Sequence, residues 1–293
     1  MNLLRIYLNN LLNRKWINMD IWGILTIVLV VVIISVAIFY YVYAKKHNPC
    51  ALCDSSSMCH VNNKNRPKWV KDYYKCYGHK NTRNIFLDFN GTVLDDLDLS
   101  FNLINEMATI CNVKPITKEE YRNSFTFPVK KYYESIGFDW SVKSFEELSV
   151  YFIEKYTERW KAETKVFKDF KKYIKKLRSA GFHVYILTAS EENLLKSQLD
   201  YFKLNKYLDG FVASKDIHAK GKIEYGKEYL SQNNINPKQS VMIGDTMHDY
   251  EVAIELGMTP IMYTSGHNSK ERLEKTGAKT VNNYKELYKL LNK

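Results

Sequence analysis

One aspartate at the end of a short apolar run constrains this chain more than any other feature. Asn84-Ile85-Phe86-Leu87 reads as a buried strand, and Asp88-Phe89-Asn90-Gly91-Thr92 follows it directly. Open α/β folds bind ligands at the carboxyl edge of their sheets. A carboxylate held rigid there suits a nucleophile. Two residues further on stands Asn90, whose amide neither gives nor takes a proton at neutral pH.

Three further pieces follow in order. His183-Val184-Tyr185-Ile186-Leu187 reads as a second buried strand and ends at Thr188. Ala219-Lys220-Gly221-Lys222 sets two lysines around one glycine. Val241-Met242-Ile243-Gly244 ends in Asp245, with Asp249 one helical turn later. Residues four apart on an opening helix share a face, and a few carboxylates with room for water and substrate oxygens suit Mg²⁺. Each piece alone has a plain structural reading. Asp88 would be a cap or turn residue, Thr188 a strand-end hydroxyl, Lys220 a solvated lysine, and Asp245 and Asp249 a capping pair. Their order, each at a strand end or loop, argues against coincidence. His248 reads as a surface residue.

Together these residues resemble the four motifs of the haloacid dehalogenase superfamily. The resemblance implies that Asp88 attacks phosphorus and forms an aspartyl-phosphate. It implies that Thr188 hydrogen-bonds the phosphoryl group and that Lys220 neutralises charge there, with Lys222 as the competing candidate. Mg²⁺ would be held by Asp88, Asp245, Asp249 and the backbone carbonyl of Asn90. Gly91, Thr92 and Ala189 would join Thr188 and Lys220 around the substrate. Phosphatases of the family usually carry aspartate where this chain has Asn90, as general acid and base. Such catalysis contributes about 10²–10⁴-fold, so alkyl phosphates should react slowly and acyl phosphates suffer less.

Two functions follow. The first is a membrane-anchored, Mg²⁺-dependent phosphohydrolase acting on a small phosphorylated metabolite. The alternative is a catalytically weak or inactive binding or scaffold protein at a membrane. Retention of Asp88, Thr188, Lys220, Asp245 and Asp249 favours the enzyme.

From Asn84 onward, strand-like runs alternate with amphipathic helical stretches, which predicts a Rossmann-like parallel sheet. Strands are expected near Ile85–Asp88, His183–Leu187, Phe211–Ala213, Val241–Ile243 and Pro260–Tyr263. Helices are expected near Phe167–Ala180, Glu191–Phe202, Ile223–Asn233, Asp249–Leu256, Lys270–Lys275 and Tyr284–Leu291. The stretch 97–163 breaks the alternation; it is helical in pattern and rich in Tyr, Phe and Trp. It reads as an inserted α-helical cap, with 84–96 and 164–293 forming the core. Phe127-Pro128-Val129-Lys130-Lys131-Tyr132-Tyr133-Glu134 and the pair Asp95-Asp96 resemble phosphoglycolate-phosphatase-like members.

The first 83 residues lie outside that resemblance. Ile21–Ala44 is apolar without one charge over 24 residues. At about 1.5 Å rise per residue it spans a ~30 Å hydrocarbon core with some tilt. Trp22 stands near one end and Tyr40, Tyr41 and Tyr43 near the other, as aromatic belts do. A single membrane-spanning helix is the expectation, preceded by a tail or interfacial helix over 1–20. Flanking charges do not set its orientation. The chain's one Asn-x-Ser/Thr acceptor is Asn90-Gly91-Thr92; a cytosolic catalytic domain keeps it from glycosylation. In the juxtamembrane segment 45–83, Cys50-x-x-Cys53 and Cys76-x-x-His79 have the ligand types and spacing of a small Zn²⁺ site. Disulfides or unligated cysteines are the rivals. The net charge of +11 comes without a nucleic-acid motif. It fits an anionic substrate or membrane surface better than specific nucleic-acid recognition.

Overall fold

A computed structural model describes residues 84–214 and 221–292. The expectations for the tail, the membrane helix over Ile21–Ala44 and the Cys/His segment lie outside these residues, as does Lys220. Among the described residues, no helix is long and apolar enough to cross a membrane.

The elements run β1 (Asn84–Leu87), β2 (Leu94–Asp95), α1 (Leu97–Ile110), α2 (Lys118–Ser124), α3 (Val129–Ser135) and α4 (Phe145–Glu163). Then follow β3 (Lys165–Val166), α5 (Phe170–Ser179), β4 (His183–Glu191), α6 (Glu192–Tyr201), β5 (Gly210–Ser214) and α7 (Lys222–Gln232). The chain closes with β6 (Ser240–Gly244), α8 (Met247–Glu255), β7 (Thr259–Tyr263), α9 (Lys270–Glu274), β8 (Lys279–Val281) and α10 (Tyr284–Leu291).

Six strands form one parallel sheet in the order β5-β4-β1-β6-β7-β8. β1 lies inside it, with Ile85 opposite Val184 on one side and Val241 on the other. Its side chains alternate between two faces. Ile85 and Leu87 pack with Ile174 and Leu177 of α5, Leu195 and Leu199 of α6, and Leu287 of α10. Phe86 points the other way, against Leu230 of α7 and Val252 of α8. A strand covered on both faces has no solvent side, which is why its sequence is an unbroken apolar run. The carboxyl ends of β1, β4 and β6 therefore open side by side, at the order reversal where such sheets bind ligands.

The four helices α1–α4 lie between β2 and β3, which pair with each other as a two-stranded antiparallel ribbon. Their aromatic richness fills a core of their own, with Tyr121, Tyr132, Tyr133, Phe138 and Leu148 buried. α2 and α4 begin with capping boxes, Thr117 with Glu120 and Ser144 with Glu147. Trp160 of α4 packs with Leu99 and Leu103 of α1 and with Leu194 and Phe202 at the two ends of α6. It is 2% exposed, so Trp160→Ala should cost about 3–5 kcal/mol. Chemical denaturation of the two proteins measures the difference.

Candidate active site

β1 hands the chain to the site without slack. The Asp88 N–H donates to the Ile243 carbonyl at 2.8 Å, so Asp88 extends the β1–β6 ladder. The turn that follows closes on Phe89, whose carbonyl accepts the N–H groups of Val93 and Leu94, both at 2.8 Å. Gly91 sits at φ +72°, and a Cβ there would lie 2.2 Å from Asp245 Oδ2. Only glycine allows this backbone to approach the carboxylate so closely.

Lys222 opens α7 and is buried. Its Nζ donates to Asp88 Oδ1 and Asp249 Oδ1, both at 2.6 Å. Of the two lysines around Gly221, Lys222 therefore takes the position expected of Lys220 among the described residues. The reason is local: α7 starts at residue 222, so its first side chain points back along the helix toward the strand ends.

Asp245 follows β6 and Asp249 sits in the first turn of α8. Asp245 accepts from Thr92 Oγ1 at 2.8 Å and from the His267 N–H at 2.7 Å. Asp249 Oδ2 accepts from the N–H groups of Asp245 and Thr246 and from Thr246 Oγ1. Asp88, Asp245 and Asp249 each offer an oxygen within 4.8 Å of the others. Three carboxylates against one ammonium leave the cluster short of positive charge. Burial pushes Asp88 well above the usual carboxylate range; Lys222 opposes this, and Asp249 and Asp245 add to it. Burial likewise carries Asp245 up to about 6, with His267 opposing. Burial would raise Asp249 too, but Lys222 and Thr246 outweigh it and hold this carboxyl low. Burial disfavours the charged form of Lys222, yet Asp249 and Asp88 raise its pKa. An under-neutralised all-oxygen cluster of this kind fits a hard divalent cation such as Mg²⁺.

The second half of the site surrounds Asn90. Its Nδ2 donates to Asp96 Oδ2 at 2.7 Å and to the Tyr156 hydroxyl at 2.8 Å, and its Oδ1 accepts from Ser190 Oγ at 2.7 Å. Asp96 also accepts from the Gly91 N–H at 2.9 Å and from the Tyr156 hydroxyl at 2.8 Å. His267 Nε2 lies 3.2 Å from Asp96 Oδ1, and its Nδ1 lies 2.8 Å from the Tyr121 hydroxyl. Burial works against a charged imidazole, but the Asp96 carboxylate outweighs it and carries His267 up to about 9. Burial would raise Asp96, and His267 with the bonds from Asn90 and Tyr156 holds it below its ordinary value.

Tyr121 and Tyr156 belong to α2 and α4, so the helical insertion reaches into this network. Arg122 reinforces the contact, donating to the carbonyls of Thr264, Gly266 and Asn268 in the loop after β7.

The other expected residues fall as follows. Thr188 is buried and its hydroxyl engages Ser190 at 3.2 Å, while Ala189 is exposed. The Gly91 N–H and the Thr92 hydroxyl have partners within the site. The Gly91 N–H is spent on Leu94 O and Asp96, and Thr92 is fully buried with its hydroxyl on Asp245. His248 lies outside the site, 3.6 Å from Glu251 and against Phe127. Ser190, His267, Tyr121 and Tyr156 belong to the site and carry no motif; Asp96 joins them, and the Asp95-Asp96 pair marks it in the sequence. For Ser190 a signal existed, since its hydroxyl stands two residues after Thr188 on the same strand. A basic groove of about 630 Å³ lined by Lys175, Arg178, His183 and Lys206 lies at the start of β4, away from all of these residues.

Residues 85–263 match the haloacid dehalogenase-like hydrolases. Tyrosine-protein kinase PtkA of Mycobacterium tuberculosis is 25% identical over 140 residues, 47% of this chain and 48% of the kinase. The chain thus spans about half the length of that curated relative. Phosphoglycolate phosphatase of Psychrobacter arcticus is 22% identical over 197 residues, 63% of this chain and 84% of that enzyme. The crystal structure of a "predicted phosphatase" from Clostridium acetobutylicum aligns with a TM-score of 0.58 at 24% identity, covering 71% of this chain and 97% of that one. At that identity the likeness speaks for the fold. The family match covers more than half of the chain and contains Asp88, Thr188, Lys222, Asp245 and Asp249. The chain belongs to the haloacid dehalogenase-like hydrolase family.

Proposed function

We propose that this chain is a membrane-anchored, Mg²⁺-dependent phosphohydrolase that acts on a small phosphorylated metabolite through an aspartyl-phosphate on Asp88. The observation that carries the reading is Lys222, buried and bridging Asp88 and Asp249 at 2.6 Å within a cluster of three carboxylates. That arrangement holds a nucleophile in place and sets a fixed positive charge where phosphoryl oxygens gather. Mg²⁺, when held by Asp88, Asp245 and Asp249, supplies the remaining positive charge for the phosphoryl group.

Asp88 attacks phosphorus, and Lys222 offsets the charge on the transferring group. Thr188 stands in the second half of β4 beside the Asn90 network, placed to position a phosphoryl oxygen through Ser190 or directly. The helical insertion acts as a cap. Tyr121, Arg122 and Tyr156 tie it to the core and keep bulk water from the reacting centre. The test is phosphate release by the full-length chain in detergent from a panel of acyl and alkyl phosphates, with Mg²⁺ and with EDTA. Release that EDTA abolishes is the expected result. No release from any substrate would leave the binding-protein reading in its place.

The anchor is Ile21–Ala44, whose charge-free length favours lipid over water. Alkaline carbonate should leave the intact chain in the membrane pellet, and deletion through Lys46 should release it. The intact chain in the soluble fraction would refute the anchor. With the catalytic domain in the cytosol, the acceptor sequence at Asn90 stays unmodified.

A further inference from the structure

We infer that the aspartyl-phosphate of this chain forms readily from donors with acidic leaving groups, acyl phosphates and phosphoanhydrides, and then persists, so that its hydrolysis limits turnover. The inference rests on the phosphohydrolase reading and names the substrate class and slow step of that site.

The two half-reactions differ in what they ask of a proton. In the first, an Asp88 oxygen forms a bond to phosphorus and the bond from phosphorus to the leaving oxygen breaks. The leaving group departs with the electron pair. A carboxylate or phosphate is stable as that anion, and no proton moves. An alkoxide is not, so an alkyl phosphate stalls here. In the second half-reaction, water forms a bond to phosphorus, the Asp88–phosphorus bond breaks, and the electron pair returns to the Asp88 carboxylate. One proton of the water must go to a base, whatever the donor was.

Among the described residues, no free base stands at position 90. Asn90 stands where a base would act, and its amide cannot take a proton. Asp96 is the nearest carboxylate, but it already accepts from Asn90, Tyr156, Ser100, the Gly91 N–H and His267. A carboxylate offers roughly four acceptor sites, and Asp96 is 2% exposed. Both ring nitrogens of His267 are engaged, by Asp96 and Tyr121. The Tyr156 hydroxyl gives its proton to Asp96 and accepts from Asn90. The Ser190 hydroxyl is turned to Asn90 Oδ1. Among the described residues, the proton-accepting groups bonded around Asn90 are all engaged within one closed network. Loss of general-base help slows a step by about 10²–10⁴-fold.

The full-length chain in detergent with Mg²⁺, mixed rapidly with acetyl phosphate, tests this. Acetate should appear in a burst approaching one equivalent per protein, followed by release at least about 10²-fold slower. Intact mass should gain one phosphoryl group, mapped to the Asp88 peptide and removed by hydroxylamine. Glycerol phosphate should give neither burst nor adduct. Asn90→Asp should shorten the lifetime of the adduct by about 10²-fold or more. Steady phosphate release from the first turnover, with no adduct, overturns the inference and leaves the phosphohydrolase standing. An unchanged adduct lifetime in Asn90→Asp overturns the assignment of the slow step to position 90. Silence with both donors overturns the phosphohydrolase and this inference together.

Discussion

Asp88→Asn should abolish phosphate release and the trapping of beryllium or aluminium fluoride at the site, by about 10⁴-fold or more, while the fold survives. Asp88 is 8% exposed, against 0% for Asp245 and 3% for Asp249. Of the three clustered carboxylates it is the one that a substrate can meet. Its place after β1, tied to Ile243, fixes its backbone at the strand end. The variant should also separate chemistry from stability. The pKa of Asp88 is raised by burial and by two carboxylate neighbours, so the folded protein disfavours its charge. A neutral amide removes that charge, and Lys222 keeps Asp249 as a partner. With EDTA present, the melting temperature of Asp88→Asn should therefore match or exceed that of the native protein. Unchanged turnover would sink the enzyme assignment, and a large fall in melting temperature would refute the electrostatic account.

Lys222→Met should lose both activity and stability, whereas Lys220→Met should lose neither. The Lys222 side chain is 2% exposed and holds two carboxylates at 2.6 Å. Removing one partner of a buried ion cluster leaves uncompensated charge, at a cost of about 3–5 kcal/mol. In a domain of this size that lowers the melting temperature on the order of 10 °C. Activity should fall about 10²–10³-fold, as when one preorganised donor to a developing anion is lost. Thermal melts in EDTA and kcat on acetyl phosphate measure both effects. If Lys220→Met were the inactive variant, the pairing of Lys222 with Asp88 would not be the working arrangement.

The sheet and the acidic cluster were legible in the sequence because their signals are local. β1 and β6 are apolar runs ending in aspartate, and the spacing of Asp245 and Asp249 is one helical turn. The two-residue strands β2 and β3 and the three-residue β8 have no such signal; pairing makes them strands, and the sequence has no period to show over so few residues. Lys220 and Lys222 could not be told apart by spacing, since the choice depends on where α7 begins. Asn90 and Asp96 stood out in the sequence, but the network that joins them was invisible for a different reason. Asp96, Tyr121, Tyr156 and His267 come from four separate elements, and Tyr156 and His267 lie 60 and 171 residues from Asp96. Only the closed arrangement of insertion and core brings them together.

The ribbon of β2 and β3 has a mechanical consequence. The chain leaves for the four helices through Leu94–Asp95 and comes back through Lys165–Val166, and these two passages are bonded to each other, with Lys165 and Asp95 paired across them at 3.4 Å. The helical body therefore joins the core through one covalent stalk. Asp96 is the first residue beyond that stalk, and its carboxylate is held from both sides, by Gly91 and His267 in the core and by Tyr156 in the insertion. The doorway and the arrangement that immobilises protons around Asn90 are thus built on shared bonds.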